Sequence, residues 1–158
     1  MNASNEKVLG VVLDDREGPA EVVVGGDRLT VIGYIEEPTT DLVAVDRAGV
    51  VWCCSADGSD RTRMNSSVAS LNGFLDLFAA FFDADPAADS GPVTYSAEQM
   101  AERLAAFRRG EIRPPAPRPD DRKSRVKQLK KALKDLDKRA VKGPWWSIIL
   151  EQVDDGIL

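Results

Sequence analysis

Few residue types in this sequence could carry out chemistry. Asn65, Ser66 and Ser67 stand in a row and could form a ligand site or supply a nucleophile. Asp83 and Asp85 are two close carboxylates of the kind that serve as general acid and base. The sequence contains no histidine, which is the most common general base and the central member of hydrolase triads. An enzymatic function would therefore rest on the carboxylate pair, which no other motif supports.

The two cysteines, Cys53 and Cys54, are adjacent within an apolar run. Neighbouring cysteines cannot connect distant segments, and free cysteines are among the most frequently buried residues. We therefore expect two small buried thiols rather than a disulfide or a metal pair. No stretch has the ligand spacing of a calcium-binding loop. The sequence predicts no catalytic centre, no cofactor and no metal site, and it leaves the partner-binding residues unassigned.

The serines of the first row also have a structural explanation, because they stand immediately before a helical pattern. From Val68 to Phe82 apolar residues recur at spacings of three and four, which predicts a helix over residues 66–82. A serine at a helix start accepts a hydrogen bond from a backbone N–H group that has no partner within the helix. We therefore expect Ser66 or Ser67 to be the N-cap.

Before this helix, short β-branched runs alternate with turn residues and predict four or five strands of an antiparallel or mixed sheet. The runs are KVLGVVL, AEVVV, RLTVIGYI, DLVAVD and VVWCCS. Residues 25–27 (Gly-Gly-Asp) and 46–49 (Asp-Arg-Ala-Gly) predict tight turns, because glycine and aspartate tolerate the positive φ that short hairpins need. The hairpin over residues 42–54 is the most clearly defined pair of strands.

A second helix is predicted after the first. Ser96 and Gln99 have the spacing of a capping box, in which each side chain binds the backbone of the other residue. Met100, Leu104 and Phe107 follow at helical spacing. We expect these three side chains to face inward.

Two proline-containing segments separate the helical patterns. Residues 83–94 carry two prolines, a glycine and three aspartates and predict a solvated loop. A connector over about 111–119 has four prolines in six positions, which favours an extended chain. A helix is then predicted over residues 121–141, with a narrow apolar stripe and other faces made almost entirely of Lys, Arg and Asp.

The chain restarts as a short last helix after Gly143 and Pro144. Its apolar face is formed by Trp145, Trp146, Ile149, Leu150 and Val153. Neighbouring residues on a helix point about 100° apart, so at least one of the two tryptophans should be in the core. The other is open between a core position and a binding hot spot, where tryptophan is enriched.

Composition and length are those of an ordinary globular protein. Hydrophobic residues make up 43% and charged residues 30% of the 158 residues, enough to build a real core. No window approaches the about 20 apolar residues that span a bilayer, and the first residues lack the basic flank of a signal peptide. We expect one cytoplasmic domain over residues 1–158.

Charge is unevenly distributed, although the formal net charge is only −5. Residues 1–106 hold 18 acidic against 7 basic side chains, whereas residues 107–142 hold 14 basic against 5 acidic ones. Many acidic residues fall in predicted turns, where solvated carboxylates are usual: Asp14, Asp15, Glu17, Glu36, Glu37, Asp41, Asp83, Asp85 and Asp89. The alternative is a surface whose field speeds the capture of a basic partner such as a nuclease.

Three segments in order resemble the SUKH superfamily. The first is a hairpin, Leu42 to Asp46 followed by Gly49 to Trp52, and the second is Met64 to Val68 leading into a Phe- and Leu-rich helix. The third is the chain end: LDKRA at 136–140, WWSIILEQ at 145–152 and DDG at 154–156. The resemblance covers roughly residues 28–156.

This resemblance implies a compact α+β fold, in which a twisted sheet from the N-terminal half is flanked by C-terminal helices, and no enzymatic activity. Bacterial members of the superfamily are immunity proteins, thought to bind and neutralise cognate toxins of polymorphic toxin systems, often nucleases or deaminases. The resemblance therefore implies a protein toxin as partner and leaves the oligomeric state open.

The basic helix over residues 121–141 supports a different class of function. A row of Lys and Arg can hold a phosphate backbone and release counterions, which would make the protein a nucleic-acid-binding or regulatory adaptor protein. The overall acidic charge and the lack of aromatic residues on this helix weigh against that alternative. The row of basic side chains could equally cover the acidic body.

Overall fold

The computed structural model describes residues 7–13, 18–84, 94–112 and 121–158. Most of the predicted loop 83–94 and of the proline-rich connector lies outside these residues. So do several acidic residues considered above: Asp14, Asp15, Glu17, Asp85 and Asp89. Within the described residues the fold is α+β, with a curled sheet in the N-terminal half followed by helices, which confirms the predicted fold class.

The described strands form one antiparallel sheet with the order β1-β3-β4-β5-β6, and β2 also pairs with β3. Their bounds are Val11–Leu13 (β1), Glu21–Val24 (β2), Asp27–Ile35 (β3), Asp41–Val45 (β4), Val51–Ser55 (β5) and Arg61–Asn65 (β6). All five apolar runs form strands, and the turns at 25–27 and 46–49 lie where the sequence predicted them.

The sixth strand, β6, is the part of the sheet that the sequence did not indicate. Its sequence is RTRMN, with a single β-branched residue, and its first three side chains are only partly buried. It pairs with β5, from Arg61 opposite Cys54 to Asn65 opposite Val51. Pairing with a neighbouring strand, rather than local preference, therefore makes this segment extended.

Both faces of the sheet are buried. On one face Val43, Val51, Cys53 and Met64 belong to the core that the helices cover. On the other face Leu42, Ala44 and Cys54 form a second cluster, which Val22, Val24 and Leu29 complete. The hairpin of β2 and β3 therefore folds over the second face and closes it.

Gly58, in the turn between β5 and β6, lies in close contact with this hairpin. It has a φ of +74°, and a Cβ atom there would lie 2.3 Å from the carbonyl oxygen of Val23 in β2. We expect Gly58→Ala to lower the free energy of unfolding by about 2–3 kcal/mol, through backbone strain and steric overlap. The matched control is Gly49→Ala, where φ is +83° but nothing lies within 4 Å. It should lose only about 1 kcal/mol. Equal losses in urea denaturation would contradict this close approach.

The four described helices are α1 (Val68–Asp83), α2 (Ala97–Arg108), α3 (Asp121–Val141) and α4 (Pro144–Asp154). Ser96 is the N-cap of α2 in a capping box, as predicted, and Ser67, one of the two serines expected as the cap, is the N-cap of α1. Ser67 and Ser70 form a second capping box, which the sequence did not predict. Pro144 begins α4 after Gly143, also as predicted. Helices α1, α3 and α4 pack on the sheet through one core cluster.

The prediction that α2 turns its apolar side chains inward is wrong. Met100, Leu104 and Phe107 are 49%, 49% and 56% exposed, and α2 has no buried residue. Helical spacing shows that apolar side chains share a face, but it does not show that another element covers that face. The described part of the chain leaves this face of α2 uncovered.

Candidate functional site

Asp137 interrupts α3 and lies against the start of α1. Its backbone is non-helical (φ −153°, ψ 84°), and its side chain is buried, with the residue 7% exposed. The carboxylate accepts hydrogen bonds from the N–H and hydroxyl of Ser66, at 2.7 and 3.0 Å, and from the hydroxyl of Ser70 at 3.1 Å. It also accepts the N–H of Ala140 at 3.0 Å. Asp137 therefore caps its own last helical turn and binds the entry to α1.

These contacts decide the protonation state of Asp137. Burial alone would raise the pKa of its carboxyl group, but the hydrogen bonds from Ser66, Ala140 and Ser70 outweigh burial and hold the pKa below the ordinary value of 3.8. The group is therefore ionised at neutral pH. Because its oxygens already accept four hydrogen bonds from the protein, it serves as a structural acceptor rather than a general base.

Asn65 is likewise occupied by the core. The indole N–H of Trp146 donates to Asn65 Oδ1 at 3.0 Å and to the carbonyl of Met64 at 3.2 Å. The Trp146 ring is fully buried, stacked on Phe78 with centroids 5.5 Å apart and edge-on to Phe74 at 4.9 Å. Asn65 thus attaches α4 to β6 and is not a ligand site.

The residues at 65–67 therefore support the fold. Ser67, one of the two serines predicted as the cap, is the N-cap, and the prediction that at least one tryptophan is in the core is confirmed by Trp146. Trp145 is partly buried and packs against the same core. The role of Asp137 was missed, because the apolar spacing of α3 continues through it. The only signal in the sequence was the residue type, because aspartate is a preferred N-cap residue that accepts the backbone N–H three residues later, here that of Ala140.

The prediction of two buried thiols is also confirmed. Cys53 faces the helices and Cys54 the opposite side of the sheet, and neither forms a disulfide. Burial raises the pKa of Cys53 to about 12 and that of Cys54 to about 11. Both thiols therefore stay protonated at neutral pH, and neither is a reactive nucleophile.

Only some of the acidic residues that the sequence singled out lie within the described residues. Asp83 is exposed at the end of α1, and its supposed partner Asp85 lies outside the described residues. Glu36 and Glu37 are exposed in the turn after β3. Among the residues that the structure describes, no group of three Cys, Asp or Glu side chains is placed to hold a metal ion.

The exposed side of α3 carries a dense positive surface, which we call the lysine face: Lys123, Lys127, Lys130, Lys131 and Lys134. Together with Val126 and Asp154 of α4, these lysines line an open groove of about 680 Å³. Lys130 forms an ion pair with Asp154. Buried Leu129 and Leu133 hold another side of α3 in the core, so the helix that carries the lysines is fixed in place.

Comparison with known protein families identifies the chain. The model of the SUKH-4 immunity protein family matches residues 4–152, nearly the whole chain. The chain belongs to this family. Comparison with curated proteins and with solved structures gives no match. The match includes all described strands of this SUKH-4 protein and most of α4.

A second charged cleft of the SUKH-4 protein lies at the hairpin turns and includes Arg28, Arg47 and Arg61. Arg61 pairs with Asp27 at 2.9 Å and stacks on the Trp52 ring at 4.6 Å. Arg28 pairs with Glu21 at 3.3 Å. Two of its three arginines are therefore already paired, and this cleft is less basic than the lysine face.

In the described part of the SUKH-4 protein, none of the helices combines the length and apolar character that are needed to cross a bilayer.

Proposed function

We propose that this chain binds one cognate protein toxin of a bacterial polymorphic toxin system and neutralises it by occluding its active surface. The observation that carries the proposal is the SUKH-4 family match over residues 4–152. The expected toxin is a nuclease or deaminase, and the chain binds it in the cytoplasm of the producing cell. The chain would act as a single domain in a stoichiometric complex rather than by turnover.

The chemistry of the described residues supports binding over catalysis. The buried carboxylate of Asp137 is fully engaged by hydrogen bonds, and both thiols have raised pKa values. By contrast, Lys123, Lys127, Lys131 and Lys134 of the lysine face are exposed on a helix that is also held in the core by buried side chains. A fixed scaffold with exposed charges suits a protein interface, which typically buries about 800 Å² on each partner.

Co-expression with the toxin domain encoded by the neighbouring reading frame tests this function. We expect the chain to restore growth, to form a one-to-one complex with the toxin, and to abolish toxin activity at one molar equivalent. A toxin domain from an unrelated system is the control and should neither bind nor be inhibited. Growth rescue without a complex, or inhibition by far less than one equivalent, would contradict occlusion, and the latter would indicate an enzyme.

A further inference from the structure

We propose that the lysine face of α3 is the surface on which this protein docks an acidic patch of its toxin. This inference rests on the proposed function and adds to it the binding face and the charge of the partner. Three kinds of observation support it: the geometry of α3, the unfavourable pairing of its charges, and the composition of the groove.

The geometry makes the lysine face a rigid and continuous surface. Lys123, Lys127 and Lys131 follow one another at four-residue spacing, as do Lys130 and Lys134, so their side chains share one side of the helix. All five precede the interruption at Asp137. The other side of α3 is buried, so docking a partner here needs no rearrangement of the core.

The arrangement of charges on this surface is unfavourable in the free protein. Like charges four residues apart destabilise a helix, and Lys127 with Lys131 and Lys130 with Lys134 are two such pairs. Asp154 offsets part of this repulsion through Lys130. Lys127, Lys131 and Lys134 are exposed and form no ion pair within the part of the chain that the structure describes. A partner that brings carboxylates to these lysines would relieve the repulsion.

The composition of the groove favours an acidic protein over a nucleic acid. The aliphatic stems of the lysines provide apolar contact area, which a protein side chain can use. The groove contains no aromatic ring on which a base could stack.

Two triple variants with the same change in net charge test the docking face. The test variant carries Lys127→Glu, Lys131→Glu and Lys134→Glu. The control carries Arg103→Glu and Arg108→Glu on the exposed helix α2 and Arg109→Glu directly after it. The probe is a catalytically inactive toxin domain from the neighbouring reading frame. At low salt we expect the test variant to bind about 100-fold more weakly than wild type and the control to change less than about threefold. Wild-type affinity should fall as salt rises.

A second set of substitutions guards against a folding defect. Lys127→Gln, Lys131→Gln and Lys134→Gln remove the charges without adding new ones, and we expect about a tenfold loss of affinity with unchanged circular dichroism. A test variant that still binds like wild type, or a control that weakens binding equally, would overturn the docking face. The proposed function would still stand in either case if the wild-type chain neutralises the toxin. If wild type does not bind the toxin, both proposals fail.

Binding of a 20-base-pair DNA duplex tests the alternative that the lysine face binds nucleic acid. We expect no salt-sensitive binding of the duplex by the wild-type chain at micromolar concentration. Tight duplex binding that the lysine variant abolishes, with toxin binding unchanged, would overturn the inference and assign the lysine face to nucleic acid.

Discussion

Replacing Asp137 by alanine is expected to lower the free energy of unfolding by about 3–5 kcal/mol, a large part of the stability of a typical domain. The change leaves the N–H groups of Ser66 and Ala140 without their acceptor and removes the link between α3 and the start of α1. Urea denaturation followed by circular dichroism measures the loss. Asp135→Ala is the matched control, because Asp135 is an exposed carboxylate two residues earlier on α3. It should change stability by less than about 0.5 kcal/mol.

The same carboxylate makes stability depend on pH in a defined direction. Its pKa in the folded protein lies below 3.8, so its contribution to stability is complete above the pKa of the unfolded chain and is lost as pH falls through the folded pKa. The stability difference between wild type and Asp137→Asn should therefore be constant near neutral pH and shrink in acid below 3.8. A difference that stays the same across this range would contradict the assigned role. So would a loss in Asp135→Ala equal to that in Asp137→Ala.

Replacing Trp146 by alanine is expected to lower the free energy of unfolding by about 3–5 kcal/mol, because it opens a cavity in the centre of the core. The ring is fully buried between Phe74 and Phe78, and its N–H holds Asn65 and the carbonyl of Met64. The loss is measured by thermal and urea denaturation. Unfolding is followed by circular dichroism rather than by tryptophan fluorescence, because the substitution removes one of the tryptophans.

Two companion variants separate the causes of this loss. Trp146→Phe keeps an aromatic ring but removes the N–H donor, and we expect a loss of about 2 kcal/mol. Ile148→Ala is the control, since Ile148 is on the same helix but 58% exposed, and it should change stability by less than about 0.5 kcal/mol. A loss below about 1 kcal/mol in Trp146→Ala would mean that α4 is not anchored through this ring.

Elements that depend on neighbours along the chain could be predicted from the sequence. The caps Ser67 and Ser96 and the start of α4 at Pro144 follow from the need to satisfy or dispense with backbone N–H groups at helix ends. The turns at 25–27 and 46–49 follow from the tolerance of glycine and aspartate for positive φ. Burial of the two cysteines follows from their apolar surroundings. These are local effects, so a short window of residues contains all the information.

The candidate site could be predicted only in part. The basic character of α3 was evident from the count of lysines, and its bounds agree with the predicted 121–141. That Lys130 pairs with Asp154, and that Val126 and α4 complete a groove beside the lysines, depends on how α3 and α4 pack. No pattern within either helix states that packing.

The sequence by itself determined the five apolar strands, the helix starts and the basic side of α3, because each is encoded in local spacing and capping. The α+β class followed from the resemblance to the SUKH superfamily. The tertiary structure alone decided that RTRMN becomes a strand, that α2 keeps its apolar face exposed, and that the hairpin of β2 and β3 covers the sheet. It also placed Asp137 against Ser66, 71 residues away. The physical reason is that a buried donor or acceptor pairs with whichever group the folded chain brings near it, and an apolar face packs against whichever element lies beside it. Such a partner has no fixed distance in sequence.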